Sequence, residues 1–249
     1  MLFRSLAFKK GEEKHYPNLL EVGKEIVRKC KGVPLAVRTL AGLLYSQVDE
    51  GRWKFVRDNE IWNLEQKEGD ILPALRLSYN QLPFHLKQCF AYCSLFPKDY
   101  EFKSLELIQI WMAHGILQSH GNQELEYVGD LYIKELWLRS FFQDVDQLEG
   151  MFCYTFKMHD LIHDLALLIG KGEFSIVTKN SSIAANVCHL SFLEYDVEVT
   201  TQLKRLSRVQ TIIFQTKQPM SLVETCISRF KFLRLLDLRK SSFGSCQVL

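Results

Sequence analysis

No apolar run in the 249 residues approaches the ~18–20 needed to span a bilayer, and the apolar stretch within residues 1–10 is too short for a secretory leader. The phosphate-cradling pattern G-x-x-x-x-G-K-[ST] is missing as well. The Gly-Lys pairs are Gly23-Lys24, followed by Glu25, and Gly170-Lys171, followed by Gly172, and neither has a glycine five positions earlier. No acidic strand end suited to Mg²⁺ stands out. Without these parts a phosphoryl-transfer enzyme has neither its metal nor its charge clamp, so no catalysis of its own is expected. The seven cysteines, at 30, 89, 93, 153, 188, 226 and 246, lack the dense even spacing of a secreted disulfide scaffold. A soluble, intracellular, reducing setting is expected. A large excess of one charge is also lacking: 31 Lys+Arg stand against 29 Asp+Glu, a net +2, which gives no global reason to bind nucleic acid or membrane.

What the chain does have is apolar mass, 47% of its residues, enough for one large domain or two to three small ones. Leu19, Val22, Ile26 and Cys30 share one helical face over 18–31, with Asn18 and Glu21 as a capping pair and Gly32 as a stop. Gly32-Val33-Pro34-Leu35-Ala36 opens a second helix that is apolar nearly all round, hence buried. A third helical segment covers Trp53 to Leu64, and the composition shifts at Gly69. Beyond it come helices over 84–93, over 105–114 capped by Ser104, and over 124–140; strand-like runs at 141–145 and 151–157 follow, then a helix from near His159 to Gly170. Three helices and a hairpin are the order of a winged-helix domain.

The frame apolar-x-x-apolar-x-apolar then recurs at Val187, Leu190, Phe192; at Val209, Ile212, Phe214; and at Leu233, Leu236, Leu238. Its steps of 22 and 24 residues fall within the spacing of leucine-rich repeats, ~20–29 residues. Each frame predicts one short parallel strand. The expected class is mostly α, with α/β repeats at the end.

Several constellations carry chemistry. Cys89 with Cys93 and His159 with His163 are i,i+4 pairs that could combine in a zinc site, although Cys89 and Cys93 interleave with Leu86, Phe90 and Leu95 in the manner of core residues. His159-Asp160 and His163-Asp164 suggest a metal-dependent phosphohydrolase, but matching Asp ligands on other helices are missing. A winged helix suggests DNA, yet Glu124, Glu126, Asp130 and Glu135 outnumber Lys134 and Arg139 on its third helix, the wrong sign for phosphate contact. From 203 to 240 the balance reverses: Lys204, Arg205, Arg208, Lys217, Arg229, Lys231, Arg234, Arg239 and Lys240 face Glu224 and Asp237, either as a solvated repeat surface or as a docking patch for an acidic partner.

In order and spacing these motifs resemble the plant NB-ARC-LRR disease-resistance proteins of the coiled-coil class. Gly32-Val33-Pro34-Leu35-Ala36 is similar to the family's GLPLA motif, the run from Cys89 to Tyr100 to its fourth resistance-domain motif, and Met158-His159-Asp160 to its MHD motif. Ile71 to Pro83 and Leu107 to Gly115 also match stretches usual there. The resemblance implies the helical ARC subdomain over 1–69, the winged-helix ARC subdomain over 70–171 and the first leucine-rich repeats over 172–249. It further implies an ADP/ATP-dependent switch in defence against pathogens, held off by ADP and oligomeric when active. By carry-over Pro34 and Leu35 belong to the nucleotide site, with Pro34 near the adenine. His159 meets the β-phosphate, and Asp160 orients the ring or caps the helix.

Implied partners are an N-terminal nucleotide-binding subdomain and, through the repeats, a pathogen effector or guarded host protein, with no DNA. Implied locations are the cytoplasm, the nucleus and the plasma-membrane periphery. The coiled coil, the phosphate loop, the Mg²⁺ strand and most repeats are absent, so weak or no ADP binding is expected of this chain alone. Leu2 to Phe8 reads as a helix interior needing an upstream partner, so Met1 is expected to result from truncation. The alternatives are a winged-helix regulator binding nucleic acid or protein, and a metal phosphohydrolase.

Overall fold

The computed structural model describes residues 2–65, 70–119, 121–148, 150, 152–179, 181–194 and 197–240. The first layer is helical: α1 (Leu2–Ala7), α2 (Pro17–Lys29), α3 (Pro34–Leu43) and α4 (Glu50–Asp58), then a 3₁₀ turn at Glu60–Asn63. Phe3, Ile26, Leu40, Leu44 and Trp53 fill its core. The Trp53 indole donates to Gln47 O at 2.6 Å, and the Phe3 ring stands edge-on to it at 5.8 Å.

Two expected starts move. Asn18 does not cap α2; Tyr16 holds that place and Pro17 is the first helical residue, its missing N–H and preset φ making it a ready starter. The third helix begins earlier than Trp53 because the Asp49 carboxylate accepts Gly51 N–H at 2.9 Å. It also ends sooner, at Asp58, where Asn59 caps the 3₁₀ turn instead.

Helix α5 (Pro73–Asn80) joins two cores: Ala74 and Leu77 face the first layer, while Leu75 faces the next. The expected break at Gly69 lies outside the described residues. Next come α6 (Phe84–Tyr92), β1 (Phe102–Lys103), α7 (Ser104–Ala113), α8 (Leu125–Leu138), β2 (Gln143–Gln147), β3 (Tyr154–Lys157) and α9 (Asp160–Gly170). The strands form an antiparallel sheet in the order β1-β3-β2, with Phe102 opposite Phe156. This is a winged helix.

Three local expectations are corrected here. Strand β1 was not anticipated. Ser104 is the first residue of α7, not its cap, and its buried hydroxyl donates to Phe152 O and accepts Tyr154 N–H, tying β3 to α7. Phe141 and Phe142 precede β2 and are buried in the core rather than paired in a strand, because an apolar pair gains more from burial than from an exposed hairpin edge. Glu149 and Met151 of the expected hairpin lie outside the described residues.

The last layer is a parallel sheet in the order β4-β5-β6-β7, built from β4 (Phe174–Val177), β5 (His189–Phe192), β6 (Thr211–Phe214) and β7 (Leu235–Asp237), with α10 (Val197–Leu203) and α11 (Met220–Arg229) as crossovers. Leu190 pairs with Ile212 and Ile212 with Leu236, so the sequence frame is also the strand register. Leu190, Phe192, Ile212 and Phe214 point into a core shared with Leu203, Leu222 and Cys226. Among the described residues there are two sheets and about half the positions are helical, a mixed α/β architecture rather than a mostly α one.

Candidate functional site

Helix α9 begins where β3 ends. Met158 is buried in the winged-helix core, which fixes the backbone as it leaves the sheet. His159 then takes an extended conformation, φ −68° and ψ 144°, and its Nδ1 accepts Leu161 N–H at 3.2 Å. A ring nitrogen thus does what an N-cap oxygen usually does. With Nδ1 accepting, the neutral ring carries its proton on Nε2, which has no hydrogen-bond partner among the described residues and can donate to an anion. His159 is itself the cap, so Asp160 does not cap α9; it is exposed in the first turn, where a carboxylate favours the positive end of the helix dipole.

Of the other expected site residues, Pro34 is the exposed first residue of α3. Leu35 turns inward and enters the same core as Leu75, Met158 and Ile162. The structure therefore seats the start of α3 and the start of α9 on one core, with Leu35 and Met158 as the buried anchors. Beside that turn lies a hollow of about 460 Å³ whose lining includes Lys29, Lys31, Val33, Ala36 and Trp62, with the Lys29 amino group 5.7 Å from the Trp62 ring centre.

The second His-Asp doublet has structural partners. His163 is buried with Nε2 2.7 Å from Phe96 O, and Asp164 pairs with Lys98 at 2.8 Å. Together they fasten the segment after α6 onto α9. Cys89 and Cys93 are fully buried among aromatic side chains, and burial pushes both thiols well above their ordinary range. Among the described residues no three His, Cys, Asp or Glu side chains converge as a metal would require.

Residues 95–166 match the family model of the disease resistance protein winged helix domain. The chain is 47% identical over 244 residues to the disease resistance protein RGA2 of Solanum bulbocastanum, covering 98% of this chain and 23% of RGA2. It is 57% identical over 166 residues to the putative disease resistance protein RGA4 of the same plant, covering 67% of this chain and 16% of that one. With the disease resistance protein RPM1 of Arabidopsis thaliana it shares 35% over 256 residues, 98% of this chain and 27% of RPM1. The chain belongs to the plant disease resistance proteins. It spans about a quarter or less of the length of these relatives. The family's winged-helix match contains Met158, His159 and Asp160, and no helix among the described residues is long and apolar enough to cross a membrane.

Sequence reasoning missed the joint between the winged helix and the parallel sheet. There Thr211 Oγ1 sits between His114 Nε2 and His189 Nδ1, at 2.7 and 2.8 Å, with Tyr92 and Phe174 against the His189 ring. Burial, with Arg234 nearby, pushes His114 down to about 4; burial, His114 and Arg234 push His189 down to about 3. His189 and Thr211 lie on the strand face opposite Leu190 and Ile212, at positions the repeat frame leaves free, so the sequence carried no signal that they are buried.

Proposed function

We propose that this chain is the part of an intracellular plant immune receptor that reads a bound adenine nucleotide, and has no catalysis of its own. On this reading residues 1–69 are the helical ARC subdomain, 70–171 the winged-helix ARC subdomain, and 172–249 the opening of a leucine-rich-repeat solenoid. The parallel strands spaced as the repeats require support the last assignment. The observation that carries the reading is the cap at α9. His159 is half-buried at the positive end of a helix, with Nδ1 engaged by Leu161 N–H and Nε2 left without a partner among the described residues, and an imidazole there can bind the β-phosphate of ADP. Asp160 at the same helix end disfavours extra negative charge, which selects for a diphosphate held by the ring.

Pro34 sits near the adenine and Leu35 holds its turn to the core. ADP keeps the receptor closed, and ATP opens it for assembly. The rest of the nucleotide site, with its phosphate loop, belongs to a separate nucleotide-binding subdomain, and the repeats meet an effector or a guarded host protein. The test replaces the matching segment of RGA2 with this chain and expresses the chimaera in leaves. With His159 intact the tissue stays quiet without a pathogen; with His159→Arg it undergoes cell death. A silent, stably accumulated H159R chimaera would contradict the reading.

A further inference from the structure

The edge at which the parallel strands begin encloses a polar hollow. Glu173 leads into β4, Cys188 into β5, and Arg208 and Gln210 into β6; with Lys171 and His189 they line a space of about 690 Å³, the size of a small-molecule site. It lies at the opposite end of α9 from His159, beside the joint of His114, Thr211 and His189.

A buried imidazole forms the floor. His189 is 7% exposed. Phe174 stacks on its ring at 4.4 Å, Tyr92 and His114 stand edge-on at 5.0 and 5.3 Å, and Thr211 takes Nδ1. Nε2 has no hydrogen-bond partner among the described residues, yet it is not sealed off as the unpartnered His163 Nδ1 is. Because His189 lines the hollow, Nε2 is the edge left to open into it. The Thr211 hydroxyl can donate to His189 Nδ1 while accepting from His114 Nε2. His189 then carries its proton on Nε2 and offers it to the hollow.

The charged side chains lining the hollow are two cations, Lys171 and Arg208, and one carboxylate, Glu173. All three are exposed, and none has a salt bridge or side-chain hydrogen bond among the described residues. Arg234, just before β7, is also exposed and acts on both His114 and His189, holding them below their ordinary range. Guanidinium, ammonium and imidazole donors around one hollow favour phosphate, whose oxygens accept several charge-assisted bonds at once. Glu173 would repel a second phosphate, whereas a hydroxyl can donate to it.

We propose that the hollow where β4, β5 and β6 begin binds a soluble phosphate monoester of a polyol, with its phosphate against Arg208, Lys171 and His189 Nε2–H and a hydroxyl donating to Glu173. Occupation fixes the His189 proton on Nε2 and orders the Thr211 bridge, which couples the ligand to the joint between the winged helix and the parallel sheet. The site does not depend on nucleotide reading at His159.

The test uses the 249-residue chain with isotope-labelled histidine, followed by NMR and thermal unfolding near neutral pH, where the monoester is mostly dianionic. The probe is glycerol phosphate; the comparisons are glycerol, inorganic phosphate and phosphatidic acid vesicles. The expected result is a saturable shift of the His189 Nε2 signal and a rise in Tm with glycerol phosphate, a weaker response to inorganic phosphate and none to glycerol. Lys171→Gln with Arg208→Gln, both exposed, is expected to keep the Tm of the free chain and to bind the probe at least about tenfold more weakly. Lys10→Gln with Lys24→Gln, exposed on the first helical layer, removes the same charge and is expected to leave binding unchanged. Absence of a saturable His189 shift, or equal binding by the two double variants, overturns the proposal. Inorganic phosphate binding as tightly as the probe overturns the polyol ester as ligand, and a response confined to vesicles overturns a soluble one.

Discussion

Thr211 Oγ1 lies 2.7 Å from Nε2 of His114, a residue 97 positions earlier at the end of α7. The same hydroxyl meets His189 at 2.8 Å. One hydroxyl can donate to one ring and accept from the other only while at least one ring nitrogen is unprotonated, so two neutral histidines and a threonine pin the parallel sheet to the winged helix.

That joint makes stability pH-dependent in a stated direction. Both histidines are pushed below their ordinary 6.5, to about 4 and about 3, so between 6.5 and those values the unfolded chain binds the extra protons. The joint's contribution to stability is therefore fully present above about pH 6.5 and is lost as the pH drops toward 4 and 3. Thermal unfolding followed across this range should show Tm falling with acidification. In a Thr211→Val variant Tm should be lower at neutral pH, because both rings lose a buried partner. A Tm flat from pH 7 to 4.5 would contradict the joint as described.

Gly42 lies in α3, where alanine would ordinarily favour the helix by about 1 kcal/mol. Here a Cβ would stand 2.3 Å from Leu138 O and 2.9 Å from Arg139 Cα. These are backbone atoms of the α8 terminus and cannot rotate away. Gly42→Ala is expected to destabilise by about 2 kcal/mol or more, read as a lower denaturant midpoint. A neutral or stabilising effect would show that α3 and α8 are not packed this closely.

Cys89 and Trp111 distinguish a packed core from a metal site. The Trp111 indole donates to Cys89 O at 3.2 Å, and both side chains are fully buried. Trp111→Ala should cost about 3–5 kcal/mol and Cys89→Ala about 1. Neither penalty should change with added zinc or chelator. A chelator-dependent Tm for the unsubstituted chain would reopen the zinc reading of Cys89, Cys93, His159 and His163.

Much of this architecture was legible because periodicity and core packing have one cause. The frame ending in Phe192, Phe214 and Leu238 marks strands whose register the structure repeats, since residues lining one core must recur with the repeat. The helix at His159 was legible from its apolar face and from Gly170. Strand β1 was not, because two residues give no alternation to read, and its pairing depends on a partner over fifty positions away. The role of Ser104 was misread for the same reason. A serine before an apolar helix signals a cap locally, but its hydroxyl is claimed by Phe152 and Tyr154 from across the fold. At the candidate site the residue types at Pro34, Leu35, His159 and Asp160 were visible, whereas the sharing of one core by Leu35 and Met158 is tertiary.

The isolated chain should bind ADP weakly. Backbone amides of a phosphate loop supply much of the affinity for a diphosphate, and this sequence has no such loop. Titration calorimetry of the chain with ADP is expected to give a Kd weaker than about 100 μM, and micromolar or tighter binding would contradict the division of the site.

The most direct test of nucleotide reading by His159 is the rate at which ADP leaves the purified RGA2 chimaera that carries this segment, measured with a fluorescent ADP analogue and excess unlabelled ADP. Loss of one charge-assisted hydrogen bond to phosphate is worth about 1.4 kcal/mol or more. The account predicts release at least about tenfold faster from the His159→Ala chimaera than from the unsubstituted one, with ATP release changed less. Identical ADP release from the two proteins, both folded, would contradict it.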